Sequence, residues 1–152
     1  MLPTRLPAGR TALNPGMATR ILYVDDEEDL RALIQSQLTL EGYAVDVAGN
    51  GASAIASLAR SPYDVVLLDL HMPDMDGADV IEELNRRGQR ANWIVLTGDT
   101  SETARTRCLA LGVDTFLHKP FHFRELVSSI NRVLGQTGSQ EGEERRPSSG
   151  GA

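Results

Sequence analysis

The sequence predicts an α/β protein: a parallel sheet covered by helices on both faces. Three observations carry this. Short apolar, β-branched runs alternate with segments of helical apolar spacing. Every connection between runs exceeds the ~10–12 residues that a parallel crossover needs. The third run is continuously apolar, as a strand buried on both sides must be. A chain of 152 residues, 41 % hydrophobic and 24 % charged, has room for one such soluble domain and its core.

The elements follow in order. Residues 21–24 form a first strand, after which Leu30, Leu33, Ile34 and Leu38 recur at helical spacing until Gly42 ends the helix. Residues 44–48 read as a second strand, and a small-residue helix over 52–59 turns Ile55 and Leu58 inward. Residues 64–68 are the third strand. Val80, Ile81 and Leu84 mark a third helix, closed by Gly88, and residues 93–96 a fourth strand with Trp93 packing at its start. A weaker, polar helix spans 101–111, with Ala104, Cys108 and Leu111 as its apolar positions and Cys108 in its core. Residues 115–117 give a short fifth strand. Phe123, Leu126, Val127, Ile130 and Val133 then define an amphipathic fifth helix.

Residues 1–19 hold three prolines and two glycines, residues 135–152 are rich in Gly, Ser and Glu, and neither shows an apolar period, so the expected organisation is a disordered leader, a domain at 20–134 and a disordered tail or linker. Met17 is a plausible original start. Fifteen Lys and Arg against 21 Asp and Glu leave a net charge of −6, which disfavours direct nucleic-acid binding. No apolar run approaches the ~20 residues that span a bilayer, so membrane insertion is not expected. One cysteine fits a reducing compartment, and the expected location is cytoplasmic.

In a parallel sheet, ligands sit beyond the carboxyl ends of the strands. There the chain places Asp25 and Asp26 after strand one, Asp69 after strand three, Thr97 at the end of strand four, and Lys119 after strand five. Three carboxylates against one ammonium call for a cation, and Mg2+ accepts one or two carboxylates while leaving room for phosphate oxygens; Mn2+ is the alternative ion. A cation, an ammonium and a hydroxyl around a carboxylate nucleophile are the parts phosphoryl transfer needs. Asp69, the lone acid ending the central strand, is the candidate nucleophile.

The stretches ILYVDDEED, VVLLDLHMPDMDG, IVLTGD and FLHKPF, separated by 43, 28 and 22 residues between Asp26, Asp69, Thr97 and Lys119, resemble the receiver domain of two-component response regulators. The resemblance implies a flavodoxin-like, doubly wound five-stranded sheet of order 2-1-3-4-5 with five helices. It implies that Asp69 accepts a phosphoryl group from a sensor histidine kinase or phosphotransfer protein. It makes Asp25 and Asp26 the acid pair at Mg2+, Asp26 as a direct ligand and Asp25 mainly through water, together with Asp69 and the backbone carbonyl of His71. Thr97 and Phe116 match the switch pair, Lys119 the cation that meets the phosphoryl group, and Pro120 a proline after a cis bond. Phe116 stands where the family often has Tyr and lacks its hydroxyl. The implied output is a changed face of helix 4, strand 5 and helix 5 that controls an unidentified downstream protein, and it admits a phosphorylation-dependent homodimer. The protein would be a phosphoacceptor rather than an enzyme, apart from self-catalysed phosphorylation by small donors and autodephosphorylation.

Other readings compete. Gly49, Asn50, Gly51 and Ala54 imitate a dinucleotide fingerprint with Asp69 twenty residues on, but leave Asp25, Asp26, Thr97 and Lys119 unexplained. Asp74, Asp76, Gly77 and Glu83 fall at calcium-loop positions, against a capped turn opening the third helix. A Mg-dependent aspartyl phosphatase would want an acid where His71 stands, and a pseudo-receiver would keep the fold as a docking module without phosphorylation. His71, His118, His122 and Cys108 show no zinc spacing. Glu141, Glu143 and Glu144 with Arg145 and Arg146 read as a solvated tail. Gly98 and Asp99 are expected to shape access to the pocket.

Overall fold

The computed structural model describes residues 18–98, 102–113 and 115–135. Five strands and five helices alternate: β1 (Arg20–Val24), α1 (Glu28–Leu40), β2 (Ala44–Ala48), α2 (Gly51–Arg60), β3 (Val65–Asp69), α3 (Gly77–Arg86), β4 (Asn92–Thr97), α4 (Glu102–Ala110), β5 (Phe116–His118) and α5 (Phe123–Val133). All pairings are parallel, in the order β2-β1-β3-β4-β5. This is the doubly wound architecture the alternation predicts. Most of the leader and tail, with Met17, Asp99 and Ser101, lies outside the described residues.

Period-two alternation sorts the side chains into two cores. Leu22, Val24, Val66, Leu68 and Val95 face α2, α3 and α4, packing on Leu58, Val80, Ile81, Leu84 and Cys108. Ile21, Tyr23, Val65, Leu67, Ile94, Leu96 and Leu117 face α1 and α5, packing on Ile34, Leu38, Leu126 and Ile130. All five residues of β3 are buried, as its unbroken apolar run requires.

Strand ends shift by a residue, and the shifts bear on the site. β3 begins at Val65 and includes Asp69, which pairs with Leu96 of β4, so the expected nucleophile ends the ladder instead of following it. β4 includes Thr97, which pairs with His118. These carboxyl-terminal residues are thus held by the sheet's own hydrogen bonds, which apolar pattern alone does not register.

The turns explain two competing motifs. Both Asp74 carboxylate oxygens accept from the N-terminus of α2, Oδ1 from the Gly51 N–H at 2.8 Å and Oδ2 from the Ala52 N–H at 2.9 Å. The protein's own acid therefore occupies the amides a dinucleotide pyrophosphate would need. A Cβ on Gly51 would stand 2.3 Å from Met75 Cγ, so the glycine serves close packing. The calcium-loop acids disperse as well: Glu83 pairs with Arg87 at 2.8 Å, and the Asp76 N–H donates to Asp79 Oδ2 at 3.3 Å as α3 begins.

α4 is the least anchored helix. Among its residues Cys108 alone is fully buried, and its tie to α3 is Arg107, which reaches Asp79 at 2.6 Å and Glu82 at 3.1 Å. Exposed pairs of this kind contribute at most ~1 kcal/mol, but a helix with one buried side chain depends on such margins. Arg107→Met is expected to raise amide exchange within α4 while leaving the rest of the sheet protected. Truncation in the central strand acts on the whole fold: Leu67 is fully buried, and Leu67→Ala should lower unfolding free energy in urea by about 2–5 kcal/mol.

Candidate phosphoryl-acceptor site

The register of the central strands builds the site. Val24 pairs with Leu68, so the next residues, Asp25 and Asp69, emerge side by side at the carboxyl edge. Lys119 arrives from the far side of β4, its backbone N–H bonded to the Thr97 carbonyl at 2.9 Å. Its ammonium donates to Asp25 Oδ2 at 2.9 Å and to Asp69 Oδ2 at 3.2 Å, with Glu27 at 3.9 Å. The Lys119–Pro120 peptide bond is cis.

Asp69 has both oxygens occupied by donors. The His71 N–H reaches Oδ1 at 3.0 Å, Lys119 holds Oδ2, and only 4 % of the residue is exposed. Burial pushes its pKa above the ordinary carboxylate value, against the opposing pull of the His71 N–H and the Lys119 charge. Burial also pulls on the Lys119 ammonium, but its bonds to Asp25 and Asp69 outweigh that and raise its pKa. The lysine stays charged and the carboxylates share it.

Asp25, Asp26 and Asp69 are the one group of potential metal ligands among the described residues: one oxygen from each lies within 4.8 Å of the others. Asp26 is exposed while its two neighbours are buried, so the cluster opens to solvent on one side. Three hard oxygen donors of this kind fit Mg2+. Thr97 ends the adjacent strand and is 9 % exposed. Phe116 lies two residues back along β5, half-buried on the α4 side, with the Arg105 guanidinium 4.6 Å above its ring.

Two residues that the pattern did not mark complete the site. Tyr23, inside β1, donates its hydroxyl to Asp25 Oδ2 at 2.9 Å; burial and the Asp25 charge drive its pKa up, so it remains a protonated donor. Period two along the strand puts Tyr23 and Asp25 on one face, a signal that was present. Arg31 of α1 donates to the Asp25 backbone carbonyl at 2.7 Å. A Cβ at Gly49 would stand 2.9 Å from Arg31 Nη1, so that glycine makes room for the guanidinium. No local pattern announces this contact.

The family model described as the response regulator receiver domain matches residues 21–131. The chain belongs to the response regulator receiver family. It is 39 % identical over 116 residues to the response regulator SaeR of Staphylococcus aureus, covering 76 % of this chain and 50 % of SaeR. The receiver thus spans about half the length of the curated relatives it matches. Among solved structures it is similar to a CheY-like receiver domain protein from Methanospirillum hungatei, with 29 % identity, a TM-score of 0.71, and 77 % and 94 % of the two chains covered. It is also similar to the response regulator TrrA of Thermotoga maritima in complex with Mg2+–BeF, with 34 % identity, a TM-score of 0.68, and 76 % and 98 % covered. Within the described residues no helix is long and apolar enough to cross a membrane.

The charge crowding has a measurable consequence. Because the folded receiver raises the Asp69 pKa, the native state binds more protons than the unfolded chain between the ordinary and raised values. The contribution of Asp69 to stability therefore falls as pH rises through that window. With chelator at neutral pH, Asp69→Asn is expected to unfold at a higher temperature than wild type, the gap narrowing as pH falls toward about 4. A lower melting temperature for the variant at neutral pH would contradict this balance.

Proposed function

We propose that this receiver is a phosphorylation-dependent signalling switch in which Asp69 is the phosphoacceptor. The observation that carries the reading is the double anchoring of the Asp69 carboxylate by the His71 N–H and Lys119, beside Asp25 and Asp26. An Asp69 oxygen attacks the phosphorus of a phosphohistidine on a sensor kinase or phosphotransfer protein. The O–P bond forms as the P–N bond breaks, and the electron pair leaves with the imidazole nitrogen, giving an acyl phosphate. Mg2+, held by Asp25, Asp26, Asp69 and the His71 carbonyl, would supply charge neutralisation for the incoming phosphoryl oxygens. Lys119, already bonded to both buried acids, is positioned to transfer part of its pairing to the new group.

The product carries roughly −1.5 to −2 charges and three acceptor oxygens where one carboxylate stood. Thr97 turns its hydroxyl toward it. Phe116 moves inward from beneath Arg105, and the face of α4, β5 and α5 changes population, which a downstream partner reads. The single buried side chain of α4 makes that helix inexpensive to displace. A phosphodonor protein has a landing place beside the acids: a groove of ≈ 510 Å³ between α1 and the loop after β5, lined by Glu27, Leu30, Leu33, Pro120, Phe121 and Phe123. Leu33 is 53 % exposed there. The fold and the complete acid set favour a switch over a docking-only pseudo-receiver, and His71 occupies the position where a phosphatase would want its second acid.

Incubated with a small acyl-phosphate donor and Mg2+, the wild-type chain should gain one phosphoryl mass and Asp69→Asn none. A variant that still gained it would overturn the assignment of the nucleophile. Asp26→Ala is expected to abolish saturable Mg2+ binding in calorimetry while keeping the fold by circular dichroism. A variant binding Mg2+ as wild type does would remove Asp26 from the metal set.

A further inference from the structure

At the floor of the acid site one oxygen serves two donors. Asp25 Oδ2 accepts from the Tyr23 hydroxyl and from the Lys119 ammonium, each at 2.9 Å. Oδ1 accepts the Glu27 N–H at 2.9 Å. A carboxylate oxygen offers two lone pairs, so Oδ2 is fully committed and only Oδ1 keeps capacity for a further partner. Lys119 makes its longer bond to Asp69, at 3.2 Å.

The hydroxyl is not there for packing. Tyr23 is fully buried in the core formed with Ile34, Leu38, Leu67, Leu126 and Ile130. A phenyl ring would fill that apolar space as well, and a buried hydroxyl costs desolvation unless it finds an acceptor. Its acceptor is the oxygen that also holds Lys119. The hydroxyl proton places partial positive charge against that oxygen, which reduces the attraction between Asp25 and the ammonium. An ammonium has three rotatable donors and no fixed plane, so it moves readily between acceptors whose pull is balanced.

Resting on the reading of Asp69 as phosphoacceptor, we infer that Tyr23 is a positioning residue: by sharing Asp25 Oδ2 it sets how Lys119 is divided between Asp25 and Asp69, and so lets the ammonium follow a phosphoryl group added to Asp69. Without the hydroxyl, Lys119 is held closer to Asp25. Asp69 is then less neutralised and attracts Mg2+ more strongly, while an added phosphoryl group loses part of its cation. The two affinities move in opposite directions. Loosened packing alone would lower both.

The test compares the full chain with Tyr23→Phe by calorimetry at one neutral pH, using Mg2+ and the phosphoryl mimic fluoroberyllate as probes. Mg2+ alone should bind Tyr23→Phe about threefold more tightly than wild type. Fluoroberyllate at saturating Mg2+ should bind it about tenfold more weakly, the order expected for one hydrogen bond to a charged group. Lys119 is the only lysine in the chain, so lysine labelled with 13C at Cε gives a single resonance. Saturating fluoroberyllate should move that resonance in Mg2+-loaded wild type and move it less than half as far in Tyr23→Phe. Incorporated 3-fluorotyrosine makes the hydroxyl a stronger donor without removing it, and should reverse both changes in affinity; this arm decides the matter even where the Phe variant does not fold. Tyr43 and Tyr63, which it also replaces, bond to Asn131 and Asp46 instead. Unchanged affinities in Tyr23→Phe, or both lowered together, would overturn the inference. Wild type that bound Mg2+ but no fluoroberyllate would instead overturn the phosphoacceptor reading, and the Mg2+ arm would still decide the role of Tyr23.

Discussion

One ammonium between two buried carboxylates governs this molecule. Lys119 bonds to Asp25 and Asp69 at 2.9 and 3.2 Å, yet Asp69 still sits above its ordinary pKa because burial outweighs that help. The site is therefore under-neutralised as built. The fold holds it in that condition through the register of β1 against β3 and the tie from Lys119 to Thr97. Breaking up the acids would require breaking the central pairing of the sheet, which is the best-buried part of the structure. The stored charge imbalance is what a divalent cation and a phosphoryl group can relieve, and so it links the stability of the fold to the chemistry at its edge.

That constraint also explains how unequally the two ends of the sheet are secured. At the carboxyl edge, Tyr23 bonds to the Asp25 side chain and Arg31 to its carbonyl, and the Glu27 N–H donates to Asp25 Oδ1 at 2.9 Å. Asp25 is the most thoroughly fixed acid, while Asp26 remains exposed to solvent. A buried, well-bonded acid beside an open one is the arrangement the proposed cation site requires. The α4 side is built differently, with one buried cysteine, a half-buried Phe116 under Arg105, and a surface clamp through Arg107. In the proposed switch the firmly bonded acids are the origin of the change and the α4 side its destination.

Much of this was readable in the sequence, for a physical reason. Apolar runs and helical spacing depend on burial, which each segment expresses locally, and the rule that ligands gather beyond the carboxyl ends then brings Asp25, Asp26, Asp69 and Lys119 to one rim. Strand limits were less legible: Asp69 and Thr97 belong to the ladder because neighbouring backbones bond to them, and a polar side chain hides that. Arg31 and Asp74 were not legible as partners at all. Arg31 crosses from a helix to a strand end and Asp74 reaches a helix 23 residues earlier, contacts that exist only once the chain has folded. The glycines of the 49–51 turn suggested phosphate binding; they are required instead by Arg31 and Met75, which crowd them.

The most direct measurement locates the phosphoryl group. Full-length chain labelled by a phosphodonor is reduced with borohydride, which converts an aspartyl phosphate to homoserine, and the digest is sequenced by mass spectrometry. Homoserine at position 69 alone is the predicted result. Homoserine at Asp25 or Asp26, or a phosphoryl group retained on His71 with Asp69 unchanged, would contradict the claim that the carboxylate between Lys119 and the His71 amide receives it.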